Sequence, residues 1–221
     1  MAKAINRAFS GLRELVKRHR RTGQALYDSC AGHLFPVDGL AMAVLDRSLN
    51  LAEGFLLLMP KHGFICAAAL LRLQLDNVLR FHGVLNCVDP HDTAARIISG
   101  ISIRKLKDKT GQRMVDARLV ELLEKRNPWV RKCYEQSSDY VHLSDAHIRR
   151  FLARSTRGKD GRRIFRIGNN DDHMSLKDRG ALITSFTTVT RGVLSLIDLY
   201  TRGRAHFGSP DDLLRRFQRE P

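Results

Sequence analysis

The densest collection of chemically capable side chains in this chain is Ser137-Ser138-Asp139-Tyr140-Val141-His142-Leu143-Ser144-Asp145-Ala146-His147. Two imidazoles, two carboxylates, three hydroxyls and a phenol fall within eleven residues. Histidine changes charge near neutral pH, so His142 and His147 can serve as base and acid, with Tyr140 and Ser138 orienting them. The segment also reads as a hydrogen-bonded helix terminus or as a phosphate or RNA site. A fourth reading takes Asp139, His142, Asp145 and His147 as metal ligands, although no HExxH or paired-cysteine spacing accompanies them.

A second constellation is Arg72, Asp76 and Arg80. At helical spacing the three lie within about 80° of one another on one side of a helix. Charges in so apolar a stretch are costly unless paired. They therefore form either a structural ion-pair ladder or an anion site inside a helical bundle. A phosphate would also find Arg131, Arg149, Arg150, Arg154 and Arg163, the last four within a basic run that ends at Arg166. Asn169-Asn170-Asp171-Asp172-His173 reads as a polar turn, with cation binding as its alternative. His19, among Lys17, Arg18, Arg20 and Arg21, reads as a surface residue. Walker, dinucleotide and nucleophile-elbow motifs are absent from the sequence, which leaves nucleotide-cofactor and hydrolase chemistry without support.

Positioning such side chains requires a folded scaffold, and the composition supplies one. The 221 residues are 43% hydrophobic and 28% charged, which fits one globular domain and excludes a disordered chain. The net charge of +15 is the unusual feature. It is distributed as +5 over 1–34, −1 over 35–100, +3 over 101–147, +5 over 148–173 and +3 over 174–221. The basic flanks attract phosphate, an acidic protein or an anionic surface, and charge alone does not choose among them. Four cysteines stand singly, as expected of reduced thiols in a cytoplasmic protein. Neither a transmembrane segment nor a signal peptide is expected.

Apolar spacing predicts a helix from Ala4 to about Ala31 and a second to Met59, with Asp38 as its N-cap. A third, Phe64 to Leu85, is apolar almost all round and belongs in the middle of a bundle. Shorter helices follow at 90–98, 117–125 and 128–141, and a long one capped by Ser175 runs to about Arg202. Phe151-Leu152-Ala153 and Ile164-Phe165-Arg166-Ile167 flank a Gly-rich turn and predict a small β-hairpin at about 150–167. The expected fold is a mainly α, antiparallel bundle of five to six helices with one small hairpin. It forms a single domain over 1–202, followed by a loosely attached basic tail, 203–221.

Several motifs carry a resemblance. Leu106-Lys107-Asp108, Gln112 to Asp116, Leu119-Val120, Trp129-Val130, Tyr134 and Ser138 to His147 resemble a family of bacterial helical proteins of unknown function. Leu70-Leu71-Arg72 and Asn77 resemble that family's buried helix, and Tyr-Val-His-Leu-Ser is the most specific part. Such families are grouped with HEPN-type bundles, which include toxin and phage-defence ribonucleases that cut RNA without metal. The resemblance implies RNA as partner, no cofactor, and cleavage through the 2′-OH. Two pairs have those ribonucleases' Arg-to-His spacing, Arg13–His19 and Arg166–His173, and chance placement of 28 Arg and 9 His gives about three. Glu14 and Ile167 stand where that family usually has Asn, Asp or His after the arginine. The alternative function is a non-catalytic module that dimerises or docks an acidic protein.

Overall fold

The structure, a computed structural model, describes residues 2–142, 144–153, 155–165, 167 and 174–217. Four long helices form the body: α1 (Ala2–Ser29), α2 (Pro36–Leu58), α3 (Phe64–Leu85) and, after four short ones, α8 (Leu176–Arg202). The short helices are α4 (Pro90–Ile98), α5 (Asp116–Glu124), α6 (Trp129–Ser138), α7 (Asp145–Ala153) and α9 (Pro210–Phe217). A two-stranded antiparallel sheet pairs β1 (Thr156–Arg157) with β2 (Arg163–Ile164), Thr156 opposite Ile164. The fold is thus mainly α, a helical bundle with one small hairpin.

Short turns fold α1, α2 and α3 into an up-down-up arrangement. α8 then runs parallel to α3: Arg179 lies over Phe64, Gln74 bonds Thr190, and Phe81 meets Tyr200 edge-on. The long excursion between α3 and α8 makes that parallel return possible. Phe55 of α2 and Phe186 of α8 stack with centroids 4.0 Å apart in the centre of the core. Gly83 admits α5 closely, since a Cβ there would stand 2.5 Å from Leu119 Cδ2. By length and mean hydropathy α8 is the one described helix that could cross a membrane, yet Ile183, Phe186, Val189, Val193, Leu194, Ile197 and Tyr200 are buried among the other helices.

The third helix is less uniformly apolar inside than its sequence implies. Gln74 and Asn77 are both buried, and they belong to a hydrogen-bond chain that touches all four long helices. His19, expected at the surface, is 3% exposed. Its Nδ1 lies 2.7 Å from the Leu15 carbonyl, an acceptor only, so this nitrogen carries the proton. Nε2 then accepts from Ser48 Oγ at 2.8 Å. Ser48 Oγ in turn accepts from Gln74 Nε2 at 2.7 Å, and the same amide donates to Thr190 Oγ1 at 3.0 Å. Asn77 donates to Gln74 Oε1 at 3.0 Å and accepts from Arg47 of α2. Burial holds the His19 pKa below its ordinary value, as a neutral ring in this chain requires.

Asp38 is not the N-cap of α2. The helix starts at Pro36, whose missing N–H costs nothing in the first turn. Asp38 sits within that turn, fully buried, and accepts from Phe35 N at 2.8 Å and Tyr200 Oη at 2.7 Å. Arg204 donates to both its oxygens, Nε at 2.9 Å and Nη2 at 2.7 Å, and so ties the segment after α8 to the start of α2. Burial works against the Asp38 carboxylate, but the Arg204, Phe35 and Tyr200 bonds outweigh it and lower its pKa. Ser175 caps α8 as expected, accepting from Asp178 N.

Candidate nucleic-acid interface

Among the described residues, 145–153 and 155–165 form an arm that packs little on the four long helices. The stretch 145–153, of which the last three residues read as a hairpin flank, is instead α7. Ser144 accepts the amides of His147 and Ile148 at its carbonyl and opens the helix. Beyond it, Gly158 N donates to Arg162 O at 2.9 Å and Gly161 takes a φ of +78°, which fixes the hairpin turn. Phe151 of α7 and Phe165 beyond β2 stack at 5.4 Å, and both stay largely open to solvent at 39% and 42% exposure. Ile148, Leu152 and Ile164 are also exposed. The apolar residues that flank the turn therefore form a surface.

Basic residues surround that surface. Arg149 pairs with Asp145 at 2.6 Å, and Arg162 lies 3.6 Å from Asp160. Arg157, Lys159 and Arg163 are exposed and make no ion pair among the described residues. Arg150 lies on α7, while Arg154, Arg166 and 168–173, with the polar turn and one Arg–His pair, lie outside the described residues. Arg131, by contrast, sits on α6, where Glu124 grips it at 2.6 and 2.7 Å.

The segment 137–147 takes in the end of α6, the turn after it and the start of α7, with Leu143 outside the described residues. Ser138 donates to Tyr134 O at 2.7 Å, one helical turn back. Ser144 Oγ lies 3.3 Å from His147 Nδ1, and the Tyr140 ring meets the His147 ring edge-on at 5.7 Å. His142 is exposed on the turn. The structure thus gives His147 two orienting neighbours and leaves His142 at the surface. Among the described residues no three His, Cys, Asp or Glu side chains converge as metal ligands.

Arg72 and Arg80 enter a cluster that the sequence shows only in part. Asp76 receives Arg80 Nε at 2.8 and 2.9 Å and has Arg47 of α2 at 3.5 Å. Asp116, at the start of α5, receives Arg104 at 2.9 Å and has Arg80 at 3.5 Å. Arg72 stands 3.7 Å from Asp76 and 3.6 Å from Asp116, its guanidinium 4.2 Å from the centre of the Tyr134 ring. Burial raises the Asp116 pKa, but Arg104, Arg80 and Arg72 more than offset it and leave it lowered. Asp116, Arg47, Arg104 and Tyr134 lie 25 to 62 residues from Arg72 in sequence, so no local spacing announces them.

All four cysteines are free, and burial pushes the Cys133 thiol to about 11, far from a nucleophile at neutral pH. The fold and these surfaces define the class, a helical bundle bearing a basic, aromatic arm and an internal arginine cluster. No family model matches the chain, and no curated protein or solved structure shows significant similarity to it.

Proposed function

We propose that this protein binds single-stranded RNA through the α7–hairpin arm. The carrying observation is the exposed Phe151–Phe165 stack flanked by Arg157, Lys159 and Arg163, cations without acidic partners among the described residues. Aromatic faces accept bases of any sequence, and arginines neutralise the phosphates between them. Base stacking of this kind is worth about 1–3 kcal/mol per base. The choice of RNA over DNA rests on the resemblance of 106–147 to HEPN-type bundles.

The test is fluorescence anisotropy of a labelled single-stranded RNA at 50 and 200 mM salt. Three phosphate contacts give a slope near −2, or about a 20-fold loss of affinity over that range. Phe165→Ala should weaken binding by at least about fivefold. Absence of binding at 50 mM salt refutes the proposal, and salt-independent self-association would favour the interaction-module alternative.

Metal-independent cleavage is the second reading, favoured by the contacts of Ser144 and Tyr140 to His147. His147 would act as acid and His142, open to solvent, as base toward the 2′-OH. An intact RNA after incubation with excess protein under binding conditions removes it.

A further inference from the structure

Arg47, Arg72, Arg80 and Arg104 bring four positive charges to two carboxylates, Asp76 and Asp116. An ion-pair ladder that served only to join α2, α3 and α5 would need two arginines for two aspartates. The two extra guanidinium groups repel their neighbours in a half-buried setting, where charges interact more strongly than in water. Arg72 is the most confined of the four, with a side chain 11% exposed. It makes no hydrogen bond within 3.5 Å among the described residues, only the two longer ion pairs and the Tyr134 contact. A guanidinium carries five N–H donors in a fixed fork suited to phosphate oxygens. Arg104 and Arg47, with side chains 59% and 41% exposed, leave the cluster open to solvent on their side.

We infer that this cluster is a binding site for a terminal phosphate, the dianionic group of a phosphate monoester. Its charge of about −2 near neutral pH matches the excess of two, whereas a phosphodiester brings only −1. Asp76 and Asp116 hold the arginines in place, the phosphate oxygens engage the Arg72 fork, and Arg104 and Arg47 close over the anion from outside. The site is separate from the stacked phenylalanines of the arm and stands on its own observations.

The experiment is calorimetric titration of the full chain with inorganic phosphate, with dimethyl phosphate as the singly charged comparison. Phosphate should bind at least tenfold more tightly than dimethyl phosphate, and more tightly at pH 7.5 than at pH 5.5, where it holds its second proton. Arg104→Gln should weaken phosphate at least tenfold without moving the melting temperature, since that side chain is exposed. Arg72→Lys keeps the charge but removes the fork and should also weaken it. Arg215→Gln, a surface pair with Asp212 on α9, controls for general charge. The source follows from two further ligands. A preference for 5′-phosphorylated over 5′-hydroxyl RNA, lost in Arg104→Gln, assigns the group to an RNA end; binding of a nucleoside monophosphate without that preference assigns it to a free nucleotide. No heat with 10 mM phosphate, or equal losses in Arg104→Gln and Arg215→Gln, overturns the proposal. The phosphate titration uses no RNA, so failure of the RNA-binding reading leaves it intact.

Discussion

Ser48→Ala removes one hydroxyl, yet two buried partners lose their hydrogen bonds with it. Ser48 Oγ donates to His19 Nε2 at 2.8 Å and accepts from Gln74 Nε2 at 2.7 Å, and all three residues are at most 3% exposed. Without the hydroxyl, His19 keeps an acceptor and Gln74 a donor with nothing to bond. Leaving a buried polar group unpaired costs about 1–3 kcal/mol, so the pair loses roughly 3 kcal/mol in all. In a chain of this size that lowers the melting temperature by about 6–12 °C. An ordinary surface substitution stays within about 0.5 kcal/mol. The assay is thermal unfolding followed by circular dichroism at pH 7.5. A companion variant replacing His19, Ser48 and Gln74 together with apolar residues should recover part of the loss, because it leaves fewer orphaned groups. A melting temperature within about 1 °C of wild type for Ser48→Ala would refute the assignment of this chain as a buried, dry network.

Two buried imidazoles, one of them in this network, predict a pH dependence. Burial holds His19 and His82 below their ordinary value of 6.5, His82 also through the nearby charges of Arg126 and Lys109. The unfolded chain takes up these protons first, so stability present above pH 6.5 falls as the pH drops below it. Melting temperatures that stay level from pH 7 to 5 would contradict this. Asp108 belongs to a lower window: burial raises it, but bonds from Thr110, Arg118 and Gln112 hold it at about 2, so its contribution disappears only between pH 3.8 and 2. Arg204→Met strands the buried Asp38 carboxylate and should cost about 3 kcal/mol in denaturant unfolding, with proteolysis after α8 increasing in parallel. Gly83→Ala gains about 1 kcal/mol of helix propensity but drives a methyl into Leu119, so the measured stability should fall rather than rise. His142→Ala, at an exposed turn, should leave the melting temperature within about 2 °C of wild type.

Periodicity determined most of what the chain shows locally. Runs of apolar residues at helical spacing placed the long helices within a few residues, Ser175 marked the start of α8, and a Gly-rich turn marked the hairpin. These signals are local because a helix buries a stripe set by its own repeat, and a turn depends on its own backbone angles. Charge counting along the chain likewise located the basic arm. Tertiary structure decided everything that depended on partners far away. His19 lies between arginines in sequence, and only α2 bringing Ser48 against it makes the site dry. Asp38 has the sequence position of a cap, and Arg204, 166 residues later, makes it an anchor. Phe151 and Phe165 read as the two flanks of one hairpin, yet Phe151 lies on α7 and meets Phe165 only as a stack at the surface. The arginine cluster shows the division most directly: Arg72, Asp76 and Arg80 share a helical face by spacing alone, whereas Arg47, Arg104, Asp116 and Tyr134 reach it from four other segments. Electrostatic energy depends on distance through space, and chain separation carries no record of that distance until the bundle has closed.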